Sequence, residues 1–254
     1  MTDIPLKKYA IVVAGGNGTR ANTPVPKQFM KLDGKPVIMH TISRFAEAGL
    51  NIDIIVVLNK ILIPQWQELC KEHNFNTDVK IVEGGDSRFE SVKHGLALVG
   101  DEEGIVAIHD AARPLVSAKT IITAFKAAEM YGNAVPAIPL SDSIRQIDSS
   151  KSIALDRTRY CIIQTPQCFQ TSILKKAYST AEYKIHFTDD ASVVEASGEK
   201  IHLVDGNPDN IKITTPRDFV IAEALIKYKP VVTSGNKLKP AEELNLLGGQ
   251  SQVA

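Results

Sequence analysis

The chain has 254 residues, 44% of them apolar and 23% charged, which is ordinary globular composition with length for one large core or two small ones. Lys plus Arg and Asp plus Glu each number 29, so the formal charge is zero; no segment gathers basic residues into an arm, which excludes an electrostatic footprint for nucleic acid and leaves small anions as partners. Cys70, Cys161 and Cys168 are too widely spaced for a disulfide framework or zinc ribbon, and neither an apolar signal core nor a run of ~18 apolar residues is present, so a soluble, cytoplasmic protein without membrane contact is expected.

The apolar run at 9–14 predicts a strand, which breaks into "GGNGTR" and is followed by Arg20 and Lys27. Bare backbone lets main-chain N–H groups approach an anion closely, because no Cβ stands in the way. The stretch lacks the Gly-Lys-Ser/Thr ending of a Walker A loop. Gly16, Gly18 and Ala21 satisfy the looser G-x-G-x-x-G/A dinucleotide fingerprint, which calls for an acidic residue at the end of the second strand. That strand, "IDIIVVLNK" with its core at 52–58, ends in Asn59 and Lys60, which weakens a nicotinamide-dependent oxidoreductase. Glycines serving only the local turn remain an equal alternative.

Further along, amphipathic stretches near 36–48, 62–73, 87–99 and 117–131 predict helices, and runs at 79–83, 105–109 and 134–139 predict strands. That alternation predicts right-handed βαβ crossovers and a mainly parallel sheet covered on both faces, with ligands at the strands' carboxyl ends. At 140–160 polar and apolar residues alternate around "DSSKS", predicting a β-hairpin arm. Too poor in apolar residues for its own core, the arm is expected to lie on another surface, such as that of a second subunit. "CIIQTPQ" then predicts a strand, 170–182 and 189–197 predict helices, and "NIKITTPRDFVIAEALI" reads as strand, turn and final helix. From Lys229 the pattern dissolves, so one domain over 1–228 and a poorly ordered tail over 229–254 are expected. No internal repeat is evident.

Polar residues cluster where these strands end. In "EGGDSRFESV", Gly84 and Gly85 close a strand and Ser91 begins a helix face; a helix N-cap would by itself explain Asp86. In "IVAIHDAARP", Asp110 and Arg113 follow a buried strand, and pairing with each other is the bland alternative. His109 invites a general-base reading, but a strand-end histidine is more often a satisfied structural group. Thr165 falls at a strand end in "QTPQ". Thr188 precedes Asp189 and Asp190, which could simply favour a helix N-terminus. Lys212 lies between Ile211 and Ile213, so in a strand it points away from them, towards the carboxyl-end crevice.

Together the blocks "AGGNGTR", "PKQF", "GGDSRFESV", "HDAARP", "DRTRY", "QTPQ", "TDDAS" and "NIKITTP" resemble, in order and spacing over residues 8 to 227, the 2-C-methyl-D-erythritol 4-phosphate cytidylyltransferases of the non-mevalonate isoprenoid pathway. Departures fall at Val13, where many members carry proline, at Thr19, often basic, and at Ala21, often methionine. The ribitol-5-phosphate cytidylyltransferases, a sister family, share several blocks, but "HDAARP" and the arm favour the methylerythritol branch. The resemblance implies a Rossmann-like nucleotidyltransferase fold, three-layer α/β/α with a protruding arm. It implies CTP and a sugar-alcohol phosphate as substrates, Mg²⁺ held mainly by the CTP phosphates without a protein metal site, and a homodimer through the arm.

Carried over residue by residue, it implies that Arg20 and Lys27 meet the charge developing on the phosphates. Ala14, Gly15, Gly16 and Gly18 would lie against the nucleotide, and Gly85, Asp86 and Ser91 would recognise cytosine. Asp110, Ala111 and Arg113 would bind ribose and polyol with Thr165 nearby. Thr188 and Lys212 would complete the phosphate pocket, while Ser143, a threonine in most relatives, and Arg157 would reach into the partner subunit's site.

Overall fold

The computed structural model describes residues 6–15, 26–182 and 187–228. Gly16, Gly18, Arg20 and the tail over 229–254, on which expectations fell, lie outside those residues. The first half builds one sheet. β1 (Lys7–Ala14) is followed, beyond a one-turn 3₁₀ helix (Lys27–Phe29), by a small hairpin of β2 (Lys31–Leu32) and β3 (Lys35–Pro36) and by α1 (Val37–Ala46). β4 (Ile52–Leu58), α2 (Ile63–Glu72), β5 (Lys80–Glu83), α3 (Arg88–Leu96), β6 (Gly104–Asp110), α4 (Ala118–Tyr131) and β7 (Asn133–Pro139) continue the alternation. The arm is β8 (Ile144–Asp148) and β9 (Lys151–Leu155), and the chain closes through β10 (Cys161–Ile163), β11 (Gln167–Gln170), α5 (Thr171–Thr180), α6 (Asp190–Ala196), β12 (Leu203–Asp205) and α7 (Pro216–Lys227).

The strand order β10-β7-β11-β6-β1-β4-β5, with β12 on β7, gives an eight-stranded sheet among the described residues. β1 pairs parallel with both β4 and β6, and β4 with β5, as the βαβ rhythm predicts. Period-two alternation sorts the side chains. Ala10, Val12, Ile54, Val56, Ile105 and Ala107 face a core closed by α1, α2 and α4, whereas Tyr9, Ile11, Ile55, Val57, Val106 and Ile108 face one closed by α3, α5 and α6. All seven residues of β6 are buried, so its carboxyl end delivers His109 and Asp110 to the centre of the sheet's edge.

Three local expectations are corrected. β11 and β12 were not foreseen: "QCFQ" and "LVD" are too short and too polar to carry a period, and they are strands because β11 slots antiparallel between β6 and β7 and β12 lies parallel along β7. The segment "NIKI" is no strand. Among its links to the frame, Ile213 N–H donates to the Ala112 carbonyl at 2.9 Å and Asn210 Nδ2 to the Thr165 carbonyl at 2.7 Å, contacts with loops instead of a strand ladder. Finally, the N-cap of α3 is Ser87, whose hydroxyl accepts from Glu90 N–H while Glu90 returns the bond. Asp86 is therefore relieved of the capping role that would have explained it.

The arm stands as its own two-stranded sheet, with Ile147 79% and Ile153 62% exposed. A hairpin of this kind is marginal alone in water, so it calls for a covering surface. Among the described residues no helix is long and apolar enough to cross a membrane.

Candidate active site

A cleft of about 400 Å³ opens over the carboxyl ends of β1, β5 and β6, with Ala14, Gly15, Lys27, Gly85, Asp86, Ser91, Asp110, Ala111 and Lys212 among its lining residues. Its narrow wall is made by absent side chains. A Cβ on Gly15 would stand 2.8 Å from Ser91 Oγ, and one on Gly84 3.0 Å from the same atom. Ser91 Oγ also accepts from Gly85 N–H at 3.2 Å, so the buried hydroxyl fixes the β5–α3 turn against the end of β1. Backbone and one hydroxyl thus form a slot-like wall free of larger side chains, which a flat ring edge can approach closely.

Lys27 reaches the cleft because the two residues that follow it are anchored. Gln28 is buried and donates from Nε2 to the Ala14 carbonyl at 3.1 Å, while Phe29 enters the core and stacks near Trp66. Gln28 was not singled out in the sequence, where it is one more polar residue of "PKQF".

Asp110 is the electrostatic centre. Its Oδ2 accepts from Lys212 Nζ at 2.9 Å and Arg113 Nε at 3.4 Å, and Arg88 Nε lies 3.6 Å from Oδ1. Burial would raise its pKa, but Arg88, Lys212 and Arg113 together outweigh that and hold the carboxyl well below the usual carboxylate range. The Asp110–Arg113 pairing anticipated from sequence is real but is one part of this set. Arg113 also donates to the Asn210 carbonyl at 2.8 Å, tying in the loop before Lys212.

Asp189 caps α6 by accepting from Ser192 N–H, as the macrodipole alternative foresaw. Asp190 does more. Fully buried, it receives both Nη groups of Arg88, at 3.0 and 2.7 Å, and the Tyr178 hydroxyl at 2.7 Å. Gln167 supports the same turn, its Oε1 accepting from Asp190 and Ala191 N–H. Arg88 had no distinguishing mark in the sequence beyond its place in "GGDSRFESV".

His109 is enclosed. Its Nε2 lies 3.1 Å from the Arg113 carbonyl and must donate, which leaves Nδ1, 3.0 Å from Thr165 Oγ1, to accept. Thr165 in turn accepts from Asp110 N–H at 3.1 Å, so its hydroxyl is buried behind the strand end and used there. Burial pushes the His109 pKa down to about 4, with the Arg113 carbonyl opposing. The native imidazole is neutral, and the unfolded one gains a proton below about pH 6.5, so this contribution to stability is lost as pH falls from 6.5 towards 4. In urea unfolding, the stability gap between wild type and His109→Gln should therefore narrow by about 3 kcal/mol from pH 7 to pH 4. A gap independent of pH would show that the ring is not held neutral.

Not every expected residue reaches this cleft. Thr188 is exposed ahead of the Asp189 cap and does not line the cleft. Ser143 and Arg157 sit at the base of the arm, both exposed, with Arg157 Nη1 donating to the Ser141 carbonyl of its own chain. Among the described residues no group of three or more His, Cys, Asp or Glu is placed to hold a metal.

The chemistry such a cleft can do is recognition of a flat ring beside a polyanion, with Lys27 and Lys212 as cations. Comparison with known proteins finds relatives along most of the chain. The family model described as IspD, 2-C-methyl-D-erythritol 4-phosphate cytidylyltransferase, matches residues 9–228. The chain is 46% identical over 223 residues, 87% of its length and 99% of the relative's, to the protein of that name from Azobacteroides pseudotrichonymphae. It is 42% identical over 221 residues, 87% of its length and all of the relative's, to the one from Bacteroides thetaiotaomicron. The crystal structure of the same-named protein from Thermus thermophilus superposes with a TM-score of 0.70 at 27% identity, covering 88% of this chain and 100% of that one.

Proposed function

The chain belongs to the 2-C-methyl-D-erythritol 4-phosphate cytidylyltransferase family, and on that premise we propose that the cleft over β1, β5 and β6 is its active site. The enzyme transfers CMP from CTP to 2-C-methyl-D-erythritol 4-phosphate, giving CDP-methylerythritol and pyrophosphate for isoprenoid precursor synthesis. The ribitol-5-phosphate alternative is not favoured, nor is a nicotinamide enzyme.

The acceptor is a phosphate monoester whose second pKa of about 6 leaves it dianionic at neutral pH. One of its oxygens forms a bond to the α-phosphorus of CTP, the bond from that phosphorus to the bridging oxygen of the β-phosphate breaks, and pyrophosphate leaves with the electron pair. No strong general base is needed, which agrees with an enclosed, neutral His109. The work is electrostatic: two polyanions must meet, and charge building on the α- and β-phosphates must be met by preorganised donors.

The observation that carries this reading is the glycine-walled slot opening beside Lys27 and Lys212 in one cleft. In it, Gly85, Asp86 and Ser91 read the cytosine edge, and Ala14, Gly15, Gly16 and Gly18 pass the phosphates to Lys27 and Arg20. Asp110, Ala111 and Arg113 take the ribose and polyol hydroxyls with Thr165 behind them, and Lys212 takes the acceptor phosphate, while Thr188, which the family resemblance assigns to that phosphate, stands outside the cleft.

The family's divalent cation is Mg²⁺ in this reading, carried by the triphosphate whose charge it neutralises. Asp110, the buried carboxylate of the cleft, is committed to three cations and offers no cage. Residues 1–228 are the catalytic domain, and the three free thiols fit a reducing cytoplasm. Pyrophosphate release tests the reaction: with CTP and Mg²⁺, methylerythritol phosphate should support turnover and ribitol 5-phosphate should not. No release with any polyol phosphate would overturn it.

The two exposed isoleucines of the arm, Ile147 and Ile153, support a homodimer in which Ser143 and Arg157 serve the partner's cleft. A guanidinium clamps phosphate bidentately, and lysine is a poor geometric substitute. Arg157→Lys is therefore expected to raise the KM for the sugar phosphate far more than that for CTP. Mixing that variant with Lys27→Ala chains should restore activity, because one hybrid site receives an intact arm and an intact loop. Absence of rescue, with subunit exchange confirmed by mass, would assign Arg157 to its own chain's site.

A further inference from the structure

Arg88 occupies the first turn of α3, immediately after the Ser87 cap. A cation there faces the positive end of the helix dipole, so the position by itself disfavours arginine. Its surroundings explain the choice. The two Nη groups grip Asp190 through both its oxygens, while Nε lies 3.6 Å from Asp110 Oδ1, at ion-pair distance. A staple between α3 and α6 would need only the first carboxylate. The second is the one that also holds Lys212 and Arg113.

The three cations around Asp110 are not equally placed. The side chains of Arg113 and Arg88 are 12% and 27% exposed, whereas that of Lys212 is 41% exposed. Arg113 is further tied to the Asn210 carbonyl and Arg88 to Asp190, both buried. Lys212 is thus the partner that can leave, and the two arginines are fixed. A buried carboxylate that lost its closest cation without other counter-ions would become costly, which would hold Lys212 back.

We propose that Arg88 is a positioning residue: it remains on Asp110 as fixed counter-ion while Lys212 is released to the acceptor phosphate, and so couples the nucleotide-reading turn to the acceptor side of the cleft. This rests on the reading of the cleft given above. It assigns Arg88 no contact with either substrate. Its consequence falls on acceptor binding, because without Arg88 the carboxylate retains Lys212 more tightly.

The test must separate this role from that of a staple. Replacing both members of the buried pair, in the variant Arg88→Met with Asp190→Asn, leaves neither charge uncompensated, and its urea midpoint should return close to wild type. The KM for methylerythritol phosphate should nonetheless stay raised by about tenfold, with the KM for CTP changed far less. Adding Lys212→Ala to that variant should cost less than it does in wild type, since the two residues act on one carboxylate. Recovery of both KM values together with stability would reduce Arg88 to a staple and overturn the proposal.

Arg88→Lys serves if the paired variant does not fold. Lysine can keep a charge on Asp190 but cannot serve both carboxylates through a fork, so acceptor KM should rise there as well, and an unchanged acceptor KM would overturn the role. A wild-type chain that turned over no acceptor in the same assay would overturn the activity first, and this role with it.

Discussion

Lys27→Ala is expected to lower kcat by about 10²-fold or more, the scale set by losing one preorganised group that meets transition-state charge. The KM for CTP should change less, because the slot made by Gly15, Gly84 and Ser91 is formed without the Lys27 side chain. The fold should not suffer, since Gln28 and Phe29 anchor the segment by their own side chains and Lys27 is only partly buried. Single-turnover measurement of CMP transfer, alongside a urea midpoint, separates these quantities. Turnover near wild type would make Lys27 a surface cation and move the centre of the mechanism elsewhere.

Asp190→Ala is expected to remove about 3–5 kcal/mol of folding stability, the range seen when one partner of a buried ion pair is deleted. Asp190 has no exposed surface and is bound by the Arg88 fork and the Tyr178 hydroxyl, so its removal strands a guanidinium and a phenol. Against a total stability of about 5–15 kcal/mol typical of domains, a loss of that size would show as a large fall in urea midpoint with little change in slope. A stability loss below about 1 kcal/mol would mean that Arg88 finds water or Asp110 as a sufficient partner.

The sequence by itself determined the βαβ frame, because buried parallel strands and their covering helices write their period into residues 9–139 with little interference. It also drew attention to residues that line the cleft: Gly85 and Asp110 stand at the ends of legible strands, Ser91 lies early in a legible helix, and Lys27 was marked by its place in "PKQF". Beyond residue 139 legibility falls. β11 and β12 exist because neighbouring strands leave ladder positions open, and "NIKI" fails to be a strand because what lies beside it is the loop at Ala112, facts that no local period encodes. Apart from the Asp110–Arg113 pair, the charge network was decided by tertiary structure. Arg88 and Asp190 are 102 residues apart, and each has a sufficient local explanation, as a surface cation and a helix-start acid. Only packing α6 against α3 puts their charges together out of water, where distance and burial, and not residue type, set the strength of the interaction.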